Sequence, residues 1–222
     1  LMTKDATIRE IHHRVKNNLQ TVAALLRLQA RRLQNPEGRA ALEEAVRRVG
    51  SIAIVHEMLS HTPDETVDFD DIADRVIEMA AEVSSTDKAV VGLRRVGNFG
   101  MLSALVATPL SMVLAELVQN AVEHGLEYGP GTIEVRVRRQ APAPGPDDGR
   151  RSTGRLIIEV VDNGTGLPAD FDLETSSSLG LQIVRTLVTG ELAGRMEMTP
   201  QEGGGTKVLL DLPVDHEVQY YN

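Results

Sequence analysis

The sequence contains no cysteine and no tryptophan. Without cysteine there is no disulfide framework, no thiolate-ligated zinc, no iron–sulfur cluster and no thiol nucleophile. Aromatic residues make up only 3% of the 222 residues, so stacked recognition of single-stranded nucleic acid has few platforms to use. No apolar run reads as long enough to span a bilayer, and no signal peptide is legible. What remains, 41% hydrophobic and 25% charged residues, is ordinary globular composition and excludes wholesale disorder. Leu1 leads directly into a helical pattern, which reads as the start of a piece of a longer cytoplasmic protein with no membrane segment in this stretch.

Charge is unevenly spread. Residues 1–62 carry a net +4 and residues 63–222 a net −13, which gives the overall −9. A basic first quarter on an acidic remainder suggests two modules, 1–62 and 63–214, followed by a short tail, 215–222. An acidic chain is a poor direct binder of nucleic acid.

From Thr7 to Leu33 there is no Gly or Pro. Ile8, Ile11, Val15, Leu19, Val22, Leu26, Ala30 and Leu33 recur in steps of three and four and share one helical face. Asn35-Pro36-Glu37-Gly38 breaks this helix, and a second periodic run follows from Leu42 to Leu59. The pair predicts an antiparallel hairpin, and two helices alone bury little. A homodimer forming a four-helix bundle is the expected remedy. On the first helix His12 flanks the apolar stripe, whereas His13 lies about 155° from its centre, on the outer face. Glu10 lies about one turn before His13, and Asn17 about one turn after it. A neutral imidazole is a competent nucleophile, and a neighbouring carboxylate can fix its tautomer. Taken alone, two histidines on a charged helix are more simply a solvated face.

In the second module, 68–83, 108–124 (with Pro109 in its first turn) and 179–188 read as helices. The segments 89–96, 133–138, 156–161, 196–198 and 207–212 read as strands. The strands come mostly late and side by side, which predicts an α/β sandwich with helices on one face of a mixed sheet. Residues 141–154 read as a hairpin insertion, and 165–178, poor in apolar residues and bracketed by glycines, as a mobile lid.

Three segments carry chemistry. Glu116, Asn120, Glu123 and His124 share one side of their helix, and an Asn oxygen facing a cleft suits Mg²⁺. Asp162-Asn163-Gly164-Thr165-Gly166 follows a strand directly. A carboxylate there can accept a base's amino group, while the glycines admit close backbone approach. Gly180-Leu181 opens a helix whose N–H groups favour phosphate. Each feature is commonplace alone; their order, closed by Gly203-Gly204-Gly205-Thr206 before the last strand, is not. The P-loop pattern and the dinucleotide fingerprint are both absent.

In this order the segments resemble the boxes of the Bergerat-fold ATPases: Glu116–Gly125 the N box, Asp162-x-Gly164-x-Gly166 the G1 box, Gly180-Leu181 the G2 box. His13-Arg14-Val15-Lys16-Asn17-Asn18-Leu19-Gln20 resembles the phosphoacceptor box of sensor histidine kinases of the HisKA_2 type, in particular cytosolic actinobacterial ones. The resemblance covers 8–213. It implies a helical hairpin, dimeric as a four-helix bundle, followed by an α/β sandwich ATP-binding domain. It implies ATP as substrate and Mg²⁺ held by Asn120. Glu116 acts through the metal shell, His124 meets the phosphates, and Asp162 reads the adenine amino group with Thr206 beside it. Gly164, Gly166 and Gly180 serve as lid hinges, with Leu181 in the same box. His13 takes the γ-phosphoryl and passes it to an aspartate on the receiver domain of a response regulator. Asn17 matches a position that orients water for dephosphorylation. The acidic residue that commonly follows the phosphoacceptor is Arg14 here, which leaves Glu10 as the candidate base. Two other readings were weighed: a non-catalytic docking module with a structural nucleotide domain, and an ATPase without phosphotransfer. ATP-dependent stabilisation separates the first from a kinase, and release of phosphate without a phosphoprotein identifies the second.

Overall fold

The structure, a computed structural model, describes residues 4–60, 66–84, 91–127, 129–141, 153–176 and 178–215; for 4–16, 51, 54–60, 83–84, 91, 153 and 215 it describes the backbone alone. The chain divides into two compact units, Leu1–Val67 and Asp68–Asn222.

The first unit is a helical hairpin of α1 (Lys4–Arg32) and α2 (Pro36–Ser60) packed on each other. The connection is shorter than the expected four-residue break. Asn35 caps α2, its side-chain oxygen accepting the Glu37 N–H at 3.0 Å, and Pro36 is the first helical residue. Proline suits that position because its missing N–H has no partner there in any helix. The face of α1 turned toward α2 also differs from expectation. Ala23 and Ala30 are buried and Leu26 partly so, whereas Val22 and Leu33, assigned to the same stripe, are 44% and 40% exposed. Small residues let the helices approach closely, and the apolar arc of α1 is wider than one partner helix covers.

The second unit begins after a short strand, β1 (Thr66–Asp68), with α3 (Phe69–Ser84). Then come β2 (Val91–Val96), β3 (Met101–Ser103), α4 (Ala104–Asn120), β4 (Gly131–Gln140), β5 (Thr153–Asp162), α5 (Leu179–Thr186), β6 (Arg195–Pro200) and β7 (Thr206–Asp215). The sheet order is β2-β4-β5-β7-β6, with β2 parallel to β4 and every other pair antiparallel. Ile133, Val135, Leu156, Ile158, Leu210 and Leu212 form the covered face. The other face carries ion pairs: Glu134 with Arg94 and Arg136, and Arg155 with Asp211. This alternation is what a sheet with helices on one side requires.

Strands β4 to β7 run one to three residues beyond the expected stretches, as where the backbone ladder of β4 continues through Arg139 and Gln140, whereas β2 is described from Val91. The expected insertion lies outside the described residues over 142–152. Helix α4 starts at Ala104, so Pro109 sits in its second turn rather than its first. Contrary to the sequence expectation, Ala104–Gly125 is long and apolar enough by composition to cross a membrane. However, 72% of that window is buried inside the protein, as in a core helix.

At the other end of the unit, Arg95 ties strand to helix. It pairs with Asp74 at 2.6 Å and Asp70 at 2.8 Å, and Asp70 accepts the N–H groups of Phe99 and Gly100. The T-shaped Phe69–Phe99 pair, centroids 5.0 Å apart, is buried beneath.

Candidate functional site

Strand β5 ends on Asp162, whose side chain lies on the covered side of the sheet, opposite Ile133. Asp162 is 5% exposed. Both hydrogen bonds to its carboxylate fall on Oδ1, from the N–H of Gly164 at 2.9 Å and of Thr206 at 3.3 Å. Oδ2 is left for a ligand on the wall of a cavity of about 420 Å³. Burial raises the carboxyl pKa above its ordinary value, and the two backbone N–H groups oppose the shift.

Closely packed glycines build this corner. A Cβ on Gly125 would stand 2.7 Å from the Asp162 Cγ, and one on Gly164 only 1.8 Å from the Gly125 oxygen. Gly203, Gly204 and Gly205 all have φ near +90°, and a Cβ on Gly205 would meet the Asp162 carbonyl oxygen at 1.9 Å. The last glycine motif thereby delivers the Thr206 N–H to Asp162. Gly166, at φ +82°, lies on the cavity wall and leads into the segment before α5, whose Leu167 and Pro168 also line the cavity.

Helix α4 supplies the opposite wall. It runs on into a π-helical turn, Ala121–Gly125, after which the Leu126 N–H reaches the Ala121 oxygen at 2.8 Å. Such a turn often marks a functional site. Here it carries the Gly125 oxygen to the Thr165 N–H at 2.8 Å, joining the helix end to the loop after β5. Asn120 and His124 line the cavity. The Asn120 Nδ2 is buried without a hydrogen-bond partner.

The structure therefore brings Asn120, His124, Asp162, Gly166, Leu181 and Thr206 onto one cavity. Glu116 is buried on α4 but is not on the wall, and Gly164 and Gly180 stand behind it. Sequence reasoning missed several wall residues: Leu117, Val160, Met198 and Val208, which form an apolar slot, and Glu127 at the mouth. The alternation of β5, β6 and β7 is the signal for Val160, Met198 and Val208, whereas Leu117 belongs to the apolar side of α4. Phe171, Ser176 and Ser178 come from the segment expected to be a lid.

Among the described residues no three His, Cys, Asp or Glu side chains cluster around a possible metal position. A protein-only metal cage is therefore not built here. The arrangement does fit Mg²⁺, which takes one or two protein oxygens and completes its shell with water and phosphate. The unpaired Asn120 amide is the group available to it, its oxygen and nitrogen being interchangeable by a half-turn. In the first unit, α1 carries Glu10, His13 and Asn17. The side chains of Glu10 and His13, and with them the choice between His12 and His13, lie outside the described residues. Asn17 is exposed.

Residues 106–216, half of the chain, match the family of histidine kinase-, DNA gyrase B- and HSP90-like ATPases. The chain belongs to that ATPase family. Within it, the histidine kinase branch is indicated by residues 10–84, which match the HisKA_2 histidine kinase family. The chain is 52% identical over 214 residues to the sensor histidine kinase PdtaS of Mycobacterium tuberculosis, and equally to that of Mycolicibacterium smegmatis. These matches cover 96% of the chain, which spans only about 40% of the relatives' length. Among solved structures, the histidine kinase domain of a blue-light-activated kinase from Erythrobacter litoralis shares the fold. It has TM-score 0.60 and 22% identity, over 95% of this chain and 92% of that one. The ThkA kinase catalytic domain aligns with TM-score 0.51 and 18% identity, over 67% of this chain and 94% of that one. The ATPase-family match spans α4 through β7, so Asp162, Asn120 and the glycine collar all fall inside it.

Proposed function

We propose that the chain is the catalytic core of a sensor histidine kinase that phosphorylates His13 from ATP and passes the phosphoryl group to an aspartate of a response regulator's receiver domain. The observation that carries the reading is Asp162: a buried carboxylate on the cavity wall, among apolar wall residues, with both backbone N–H groups on Oδ1. That is an acceptor for the exocyclic amino group of adenine, with Leu117, Met198 and Val208 against the ring and Thr206 beside it. Gly164 and Gly166 shape the loop that follows Asp162. Gly180 and Leu181 present the first N–H groups of α5 to phosphate, and His124 meets the phosphates from α4. Asn120 is the protein ligand for Mg²⁺, and Glu116 orients that shell. Magnesium, when bound, neutralises charge on the phosphates.

In the transfer, a nitrogen of the His13 imidazole donates its lone pair to the γ-phosphorus. The bond from that phosphorus to the β,γ-bridging oxygen breaks, and ADP leaves with the electron pair. The ring becomes cationic, and the carboxylate of Glu10 takes up or holds the proton on its other nitrogen. The receiver aspartate then attacks the phosphohistidine to give an acyl phosphate and a neutral imidazole. Asn17, an exposed turn away, orients water for the reverse task of dephosphorylation.

The working unit is a homodimer in the cytoplasm. Val22, Leu25 and Leu28 remain 44–58% exposed on α1 beside the covered Ala23 and Ala30. A second hairpin covering this arc completes a four-helix bundle. The test is transfer of label from γ-labelled ATP with Mg²⁺. The wild type is expected to become labelled and Asp162→Asn to remain unlabelled while folded. Labelling that survives Asp162→Asn with unchanged ATP dependence overturns the assignment.

A further inference from the structure

Helix α5 faces the segment between Gly166 and Ser178 with two long polar side chains one turn apart, and both donate to backbone oxygens. Arg185 NH1 donates to the Leu173 oxygen at 3.2 Å and to the Glu174 oxygen at 2.9 Å. Its NH2 pairs with the Glu174 carboxylate at 2.9 Å. Gln182 Nε2 lies 3.4 Å from the Ser176 oxygen. The same segment lends Phe171, Ser176 and Ser178 to the cavity wall. Arg185 stands in the last turn of α5, and a π-helical turn, Leu187–Glu191, follows directly. Its guanidinium is spent on another segment.

We propose that Arg185 is a positioning residue of the nucleotide site: it latches the backbone of the 171–176 segment to α5 and so holds Phe171 and Ser176 against a bound nucleotide. This rests on the nucleotide-binding reading of the cavity. The latch is one guanidinium nitrogen, Nη1, donating to two consecutive carbonyls, with Nη2 on the Glu174 carboxylate; the planar head holds both nitrogens at a fixed spacing that a single ammonium nitrogen does not reproduce. It is indifferent to the segment's side chains, with one exception. The Glu174 carboxylate is 74% exposed, so its ion pair adds little beyond the carbonyl bonds. The latch therefore predicts a ranking of variants that a simple surface ion pair does not.

Release of a fluorescent ADP analogue, followed by stopped flow, tests this on the full chain. Amide exchange over 169–176 is measured alongside. Losing the charge-assisted bonds in Arg185→Gln is expected to speed release roughly ten-fold and to accelerate exchange in the segment. Arg185→Lys should fall between, and Glu174→Gln should stay within about two-fold of the wild type. Unchanged release in Arg185→Gln, or faster exchange without faster release, overturns the proposal. Equal effects of Glu174→Gln and Arg185→Gln overturn the carbonyl latch in favour of a plain ion pair. If the wild type binds no nucleotide, the reading beneath fails separately. Exchange in the nucleotide-free proteins then decides the latch: faster in Arg185→Gln supports it, and unchanged exchange overturns it. Should Arg185→Gln lose its native circular dichroism, the Arg185→Lys comparison carries the same test.

Discussion

In the ATP-binding unit the inner face of the sheet is closed: Ile133, Leu156, Ile158, Leu210 and Leu212 are each at most 1% exposed. In the hairpin, the buried apolar residues among the described side chains of α1 are alanines, Ala23 and Ala30, while Leu25 is 58% and Leu28 45% exposed. The sheet of one unit closes its inner face with large side chains, although Leu105 and Leu179 stay open elsewhere on that unit, whereas the described part of the hairpin buries small ones and leaves large ones open. Polar groups divide the same way. Asp162 is enclosed and half-saturated, awaiting a small ligand, whereas Asn17 lies open on α1. The contrast teaches where the two units differ: the sheet's inner face is closed within its own unit, whereas the open side chains of α1 are what the proposed second hairpin would cover.

The largest expected effect breaks the closed side of this comparison. Gly205→Val puts a branched side chain at φ +96°, against a backbone oxygen that already leaves no room for a Cβ. Overpacking and backbone strain together should cost about 3 kcal/mol or more. Chemical denaturation of the nucleotide unit measures it, and a loss under about 1 kcal/mol would show the corner to be looser than described. Next in size, Leu25→Asp should leave the thermal transition of the nucleotide unit in place while converting a dimer to a monomer. Sedimentation equilibrium reads the mass, and a variant that remains dimeric places the interface elsewhere.

Two carboxylates sharpen the comparison with opposite signs. Burial raises the pKa of Asp162, so the folded nucleotide-free protein binds that proton more tightly than the unfolded chain does. Its contribution is fully present below the ordinary value of 3.8 and is lost as pH rises through the raised folded value. Asp162→Asn should remove this loss, leaving a flatter stability profile from pH 4 to 7 than the wild type while abolishing ATP-dependent stabilisation. Asp74 is held below its ordinary 3.8 by the hydrogen bond from Arg95, so its contribution is present above that value. It is lost as pH falls below 3.8. Asp74 is 48% exposed, and the smallest of these effects is expected here. Asp74→Asn should cost about 1 kcal/mol at neutral pH and almost nothing near pH 2. Urea unfolding at several pH values checks both.

The sequence order of boxes made the nucleotide site legible because its chemistry needs particular residues at chain-local spacings: Asp162 and its glycines lie within five residues, and Asn120 and His124 one turn apart. The helix and strand types were legible from period alone. Four things were not. The π-helical turn at Ala121–Gly125 has no period of its own, and it is tertiary contact with Asp162 and Thr165 that fixes it. The start of α4 at Ala104 was hidden by Pro109, a residue usually found in a first turn but tolerated in the second here. The covering of α1 was misassigned for Val22 and Leu33 because a wheel shows how wide an apolar arc is, not which part of it a given neighbour takes. The strands β1 and β3 are three residues each, too short for any alternation to register.

The central claim is that this chain carries both halves of a phosphotransfer reaction, a nucleotide site and a histidine acceptor. The most direct measurement is incorporation of label from γ-labelled ATP into the wild type, His12→Gln and His13→Gln. The account predicts acid-labile label in the wild type and His12→Gln and none in His13→Gln. Label that persists in His13→Gln, or no label in any of the three despite ATP binding, would contradict it.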